Sequence, residues 1–257
     1  MPLSAASEPA AFVRLAAHPL RWAVLTELAR SDLRVRELVA RTRQPQNLVS
    51  YHLRLLRAAG LVDARRSNAD ARDSYYHLDL DSCADAIRSS AFAIHPALLG
   101  SRTGSSDHPR LPRLDVLVAC TGNSAQSPIA AALLRHRSNH GLDVVSAGSH
   151  PKPRLHPLAV RALHEQYGID VADQRPRDLD TLAGHRFDYV ITVCDKVREV
   201  CPDFGGSSEY VHWSVPDPCA APAGHQPEYS DFVRTAADID RRVRHLLATF
   251  TPKEALP

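Results

Sequence analysis

The sequence predicts a two-domain protein of mixed α/β class. A small helix-rich domain containing a hairpin precedes a larger domain built on a parallel sheet flanked by helices. Three observations lead there. The length of 257 residues exceeds one ordinary domain and falls short of three. The stretch PALLGSRTGSSDHPRLP (96–112), rich in Gly, Ser and Pro, carries no periodic pattern and reads as a linker. Before it the apolar spacing is helical; after it a short apolar run leads through small residues into a helix. The expected boundaries are therefore 1–97 for the first domain, 98–112 for the linker and 113–257 for the second domain.

Hydrophobic residues make up 44% of the chain and charged residues 23%, the balance of a soluble globular protein rather than a disordered one. No apolar run approaches the roughly 18 residues that span a bilayer. The start, MPLSAASEPAAFVRLAAHPLRW, lacks a basic segment followed by an apolar core. A cytoplasmic protein with no membrane partner is expected, and its five cysteines read as free, catalytic or metal-bound rather than as a disulfide framework. The net charge of +2 conceals an asymmetry. Residues 1–100 hold 13 Arg against 10 acids, and residues 101–257 hold 18 Lys and Arg against 19 acids. Within 41–73, seven Arg face three Asp, a basic stripe suited to phosphates as well as to plain solvation.

In chain order, residues 9–17 and 19–30 read as helices, with Leu25, Leu28 and Ala29 on one face of the second and Pro19 near its start. Residues 35–62 read as two helices joined by a tight turn. Leu38, Val39, Leu48, Val49, Leu53, Leu56 and Leu61 are the expected buried positions, with Pro45 at the first turn of the second helix and Gly60 ending it. VDARRSNADARDSYYHLDL reads as a hairpin with its tip at 68–73, in which Tyr75 and Tyr76 pack on the strand; a last helix runs over about 82–95. Helix–turn–helix followed by a hairpin is the winged-helix pattern.

Here the run NLVSYHLRLLRAAGLV carries a family resemblance. It resembles the recognition helix of arsenic-repressor-type (ArsR) winged-helix regulators, with their Ser-x-His-Leu-x-x-Leu-x-x-x-Gly-Leu-Val run. The resemblance implies that Gln46, Asn47, Ser50, Tyr51 and His52 face the major groove of a double-stranded DNA operator. It places Arg54 and Arg57 near phosphates, and Arg65, Arg66 and Arg72 on the wing. Taken alone, His52 reads as an ordinary helix histidine. The likeness also implies a homodimer, paired through the last helix. One departure stands out: where metal-sensing members carry a Cys-x-Cys pair, this chain has Arg34 and Arg36, which cannot ligate a soft metal. Cys83 alone makes no closed site, so no metal is expected.

In the second domain, LDVLVACTGNSAQSPIAAALLRHR begins with a strand at 116–119, continues through a loop of small residues, and opens a helix at Ser127-Pro128. Such a strand–loop–helix gathers backbone N–H groups at a helix N-terminus, a nest for tetrahedral oxyanions. Cys120, at its entrance, is placed as a nucleophile whose thiolate that field would favour. CTGNSAQSP resembles the active loop of low-molecular-weight tyrosine phosphatases and of the thioredoxin-coupled arsenate reductases built on that fold. Downstream, VSAGS (145–149), FDYVITVCDKVREVCP (187–202) and HWSVPDP (212–218) match in order.

The resemblance implies a domain of the low-molecular-weight phosphatase type that holds arsenate, or a phosphate-like oxyanion, on Thr121, Gly122, Asn123, Ser124, Ala125, Gln126 and Ser127. It implies that Cys120 attacks arsenate, Cys194 displaces arsenite, and Cys201 resolves the disulfide, with thioredoxin or a low-molecular-weight thiol as final reductant and no bound cofactor. Asp217 would be the general acid of a phosphatase. Seven residues of intact helix span about 10 Å, beyond the reach of a disulfide, so the 194–201 segment is expected to loop or unwind and to be mobile. Two departures bear on catalysis. The family's loop arginine is Gln126 here, and its usual Glu is Ala131. Three readings stay open: a working reductase tethered to a repressor, a weakened catalyst serving as an oxyanion or redox sensor, and a tyrosine phosphatase. Cys219 matches no family role.

Overall fold

The computed structural model describes residues 10–95, 113–220 and 226–250. The expected linker and its 98–112 boundary lie outside them. The chain divides into two compact units, each considered by itself.

The first unit runs α1 (Ala11–Ala16), α2 (Pro19–Leu28), β1 (Leu33–Arg34), α3 (Val35–Thr42), α4 (Gln46–Ala58), β2 (Val62–Arg66), β3 (Ser74–Leu78) and α5 (Leu80–Ile94). Pro19 occupies the first turn of α2, where its missing N–H costs nothing, and His18 caps that helix by accepting from Leu20 N. In α4, Val49, Leu53 and Leu56 form a buried i, i+4, i+7 stripe. Leu48, expected in the core, falls outside that stripe and is 37% exposed. Likewise Ala29 is exposed, and Val24 takes the expected place beside Leu25 and Leu28. Gly60 ends α4 at φ +71°, the left-handed conformation that a glycine adopts without strain, and Leu61 N closes back on Leu56 O.

The hairpin β2–β3 is antiparallel, and β1, a two-residue strand with no signal in the sequence, adds to its other edge in the order β1-β3-β2. Tyr75 is fully buried. Arg34 pairs with Glu37 and Asp73 at 3.3 and 3.4 Å and lies over the Tyr75 ring, while Arg36 reaches the same Asp73 at 3.1 Å. The two arginines thus tie the start of α3 to the loop of the wing, next to β3.

The second unit carries a four-stranded parallel sheet in the order β5-β4-β6-β7. Its elements are β4 (Asp115–Cys120), α6 (Gln126–Arg137), β5 (Asp143–Gly148), α7 (Pro157–Tyr167), a 3₁₀ turn (Leu179–Leu182), β6 (Tyr189–Thr192), α8 (Asp195–Val200), β7 (Glu209–His212) and α9 (Tyr229–Thr249). Strand β4 is the first of the sheet yet lies inside it, with β5 on one side and β6 on the other. Its carboxyl end is therefore the topological switch point, where open α/β sheets bind ligands. Residues 116–119 are fully buried, as a central parallel strand requires.

Helix α6 is buried from Gln126 to Leu134, which explains its run of small residues. Ala131 is fully buried there, so a carboxylate at this position would need a buried partner. Helix α9 packs a face of Phe232, Ala236, Ile239 and Val243 into the core. Arg137 of α6 joins Asp240 of α9 in a bidentate pair at 2.8 and 3.0 Å. Among the described residues, no helix is long and apolar enough to cross a membrane.

Candidate functional site

Cys120 ends β4, residues 121–125 form the loop, and Gln126 opens α6. The segment after β5 runs alongside and takes the loop's carbonyls: Ser149 N donates to Cys120 O, His150 N to Thr121 O, Lys152 N to Gly122 O and His156 N to Ser124 O, at 2.8 to 3.2 Å. Turning carbonyls outward turns the opposed N–H groups into the concavity. Among the described residues, the N–H groups of Gly122, Ser124, Ala125 and Gln126 have no acceptor, so the loop offers unpaired donors at a helix start. Gly148 makes the close approach feasible. A Cβ there would stand 2.6 Å from Thr121 O and 2.8 Å from Asn123 N.

Asn123 is the pin of the loop. It sits at φ +43° and is 1% exposed. Its Oδ1 accepts from Arg177 N at 2.7 Å, its Nδ2 donates to Ser127 Oγ at 2.9 Å, and its N–H donates to Cys120 Sγ at 3.2 Å. Ser127 Oγ lies 3.0 Å from the same sulfur. The side chains of Asn123 and Ser127 therefore address the thiol and the loop frame.

Two expectations are corrected here. First, Gln126, expected among the oxyanion ligands, offers its backbone N–H alone, because its Nε2 is turned to three carbonyls: Val215 O at 2.9 Å, and Val193 O and Pro216 O at 3.3 Å. The amide bridges the segments that lead to Cys194 and Asp217. Second, the Cys120 thiol, expected to be lowered by the field of the helix start, is shifted the other way. Burial, with Cys194 beside it, pushes it up to about 11 against the lowering hydrogen bonds from Ser127 and Asn123. Neutral Gln126 supplies no charge to offset that burial.

The other thiols lie around this loop. Cys194 is 3% exposed, its Sγ 3.3 Å from Thr121 Oγ1. Cys194 and Cys201 flank α8, at its N- and C-caps, and all five cysteines are free. Cys201 is half-buried, and burial pushes it up to about 11. Asp217 is exposed and accepts from Cys219 N at 2.9 Å. Burial and Asp217 push the Cys219 thiol up to about 12.

Sequence reasoning missed a buried pair next to Cys194. Asp195, fully buried, receives His212 Nε2 at 3.1 Å, and His212 Nδ1 lies 2.8 Å from Thr192 Oγ1. The only sequence signal was an Asp following the cysteine and a His opening HWSVPDP. Burial alone would raise the Asp195 carboxyl, but hydrogen bonds from His212 and Ser214 bring it down to about 2. Among the described residues, no group of three or more His, Cys, Asp or Glu is placed to hold a metal ion.

In the first unit, Gln46, Asn47, Tyr51 and Arg54 are exposed on α4 and Ser50 is half-buried. Arg54 lies over the Tyr51 ring, and exposed Arg57 stands 3.9 Å from Asp63. On the wing, Arg65 is half-buried, and Arg66 and Arg72 are exposed; Arg66 Nη1 donates to Ala71 O at 2.7 Å. His52 is a further correction. It is 3% exposed, on the same face as Val49 and Leu53, with its ring 4.3 Å from that of His18. Burial, then the charges of His18 and Arg21, lower its pKa. It packs the helix onto the core and is not presented to a groove.

Comparison with known proteins matches two segments. Residues 115–255 match the model of the low molecular weight phosphotyrosine protein phosphatase family, and residues 18–73 match that of the MarR family. The helix–turn–helix match is thus to MarR, whereas the arsenic-repressor likeness rests on the run in α4. An arsenate reductase of Halalkalibacterium halodurans is 32% identical over 130 residues, covering 51% of this chain and 92% of the relative. One from Brevibacillus brevis is 32% identical over the same length, covering 51% and 91%. Among solved structures, an arsenate reductase of Archaeoglobus fulgidus is 28% identical with a TM-score of 0.41, covering 52% of this chain and 98% of that one.

Two outcomes follow from the electrostatics. Alkylation of Cys120 by iodoacetamide, followed by peptide mass spectrometry, rises roughly tenfold per pH unit from about pH 7 to about pH 10. A plateau already reached near about pH 8 would contradict a raised thiol. Asp195 titrates lower in the fold than in the open chain, so its contribution to stability is present above its ordinary value of 3.8 and is lost as pH falls toward about 2. Urea unfolding of Asp195→Asn therefore shows a flatter loss of stability between those two pH values than the unmodified chain.

Proposed function

The chain belongs to the low molecular weight phosphotyrosine protein phosphatase family, and on that premise we propose that its second domain reduces arsenate to arsenite while its first binds a double-stranded DNA operator. The observation that carries this reading is the buried Cys194, seated against the Cys120 loop through Thr121 Oγ1 at 3.3 Å. A phosphatase needs the loop cysteine and an acid; a second thiol beside the loop serves a redox step. Relatives named arsenate reductase, about a third identical over this domain, support the same choice.

Arsenate enters the nest, where the unpaired N–H groups of Gly122, Ser124, Ala125 and Gln126 donate to its oxygens. Cys120 sulfur attacks arsenic as its thiol proton passes, by way of Asp217, to an arsenate hydroxyl, which leaves as water. The thiolate of Cys194 attacks Cys120 sulfur. The S–As bond breaks with its electron pair on arsenic, which leaves as arsenite, and a Cys120–Cys194 disulfide remains. Cys201 attacks Cys194, releasing Cys120, and thioredoxin or a small thiol reduces the Cys194–Cys201 pair. The last step needs α8 to unwind, since its two ends are otherwise about 10 Å apart.

Gln126 makes this reaction slow. Replacing a charged oxyanion donor by a neutral one costs on the order of 10²–10³ in rate. The same amide, committed to carbonyls, favours a second reading in which oxyanion binding or oxidation of Cys120 chiefly serves to alter DNA binding. On the DNA side, Gln46, Asn47, Ser50 and Tyr51 meet base edges, and Arg54, Arg57, Arg65, Arg66 and Arg72 meet phosphates. The chain binds as a homodimer through α5, whose Ile87, Phe92 and Ile94 are exposed.

With arsenate, thioredoxin and its reductase supplied, the unmodified chain turns over slowly, Cys120→Ser and Cys194→Ser are inactive, and Cys201→Ser stops after one turnover as a Cys120–Cys194 disulfide. Gln126→Arg raises the rate by about 10²-fold. Absence of any arsenate-dependent thiol loss in the unmodified chain refutes reductase activity. Separately, Arg54→Ala weakens duplex binding equally across sequences and lowers the slope of log K against log salt by about 1; an unchanged slope removes Arg54 from the phosphate contacts.

A further inference from the structure

A second concentration of positive charge lies outside the Cys120 loop. Beside the edge strand β5, a cleft of about 400 Å³ is lined by Arg135 of α6, Ser146 of β5, and Gln174, Arg175 and Arg177 of the chain before the 3₁₀ turn. No carboxylate lines it among the described residues. Several arginines elsewhere in this domain are matched with acids, among them Arg137 with Asp240, Arg161 with Glu165, Arg234 with Asp231 and Arg241 with Asp238. The three in the cleft have no ion pair among the described residues.

Their geometry is partly fixed. Arg135 donates both Nε and Nη2 to Val144 O, at 3.1 and 2.7 Å, which sets the guanidinium plane and leaves Nη1 without an acceptor among the described residues. Arg175 Nη1 is steadied by Ala172 O and Gln174 O, each at 3.3 Å. The Arg177 guanidinium has no hydrogen-bond partner among the described residues, while its backbone N–H is held by Asn123 Oδ1. Burial and the nearby charge of Arg177 lower the Arg135 pKa, the mark of like charges gathered without a counterion.

We infer that this cleft is a second oxyanion site, holding one doubly charged tetrahedral ion of the sulfate or hydrogen-phosphate kind between Arg135 Nη1, Arg175 and Arg177. Guanidinium groups bind such ions through paired N–H donors, and Ser146 and Gln174 add uncharged donors. The site stands apart from the Cys120 loop and does not depend on that loop's chemistry. The two are nonetheless joined through Arg177 N–H, Asn123, Ser127 Oγ and Cys120 Sγ.

The test titrates the full chain with sulfate and, separately, with phosphate by calorimetry, with chloride at matched ionic strength as control. The expected result is two sites per chain, one of which Arg175→Gln/Arg177→Gln weakens about tenfold or more. Both replaced side chains are exposed. Thermal melts in chloride check the fold, and Arg177→Gln alone, which keeps the backbone N–H to Asn123, gives the same comparison should the double variant melt early. Identical isotherms for the unmodified chain and either folded variant overturn the site. So does a single site in the unmodified chain that Cys120-loop ligands abolish, or a response to duplex DNA with none to sulfate or phosphate.

Discussion

The chemistry open to the second domain depends on the direction of four carbonyls. A five-residue loop between a strand and a helix has no fixed reason to aim its N–H groups inward; the backbone of residues 149–156 supplies it, by donating to Cys120, Thr121, Gly122 and Ser124 oxygens from outside. Those bonds need two chain segments closer than any side chain would allow, and Gly148 stands at the contact. Asn123 closes the arrangement from within, tying the loop to the Arg177 peptide on one side and to Ser127 on the other. The oxyanion nest is thus a property of neighbouring backbone as much as of the loop itself.

Against that frame, Gln126 redistributes a role rather than leaving a gap. Three carbonyls, from residues 193, 215 and 216, converge on its amide nitrogen. Each belongs to a segment carrying another reactive group, Cys194 or Asp217. A buried carbonyl without a donor is costly, so the amide is held in place by what it satisfies. The consequence for Cys120 is electrostatic. Hydrogen bonds from Ser127 and Asn123 favour its thiolate, yet burial outweighs them in the absence of a charge at position 126.

Much of the architecture was legible in the sequence because it follows from local pattern. The apolar strand, the small-residue loop and the helix start fix 115–137, and Gly60 marks the end of α4. Local pattern failed where long-range packing decides. Strand β1 exists because the wing offers it an edge. Leu48 and His52 exchanged places across the surface of α4, since the buried stripe is centred on Val49, Leu53 and Leu56 and takes in His52. A polar residue on an apolar stripe cannot be told from a reader of bases by sequence alone. The state of Cys120 was misread for a similar reason: the field of a helix start is visible in the motif, whereas the depth of the sulfur is not. The pairing of Asp195 with His212, 17 positions apart, left only the two residue types in the sequence and nothing that joins them.

That pairing shapes how α8 could open. Its first residue, Asp195, is locked to His212 and completely buried, and Val197, two residues on, is buried as well. Its last residue, Val200, is 60% exposed, and Cys201 follows with only partial cover. A six-residue helix gains little from its own hydrogen bonds, so its persistence rests on those two anchors at the Cys194 end. Unwinding therefore costs least from the Cys201 end. In the proposed relay this has a chemical use: Cys194 stays against the Cys120 loop while Cys201 is carried toward it. The thiol that must meet two partners in turn is the one held still, and the thiol with one partner is the one free to travel.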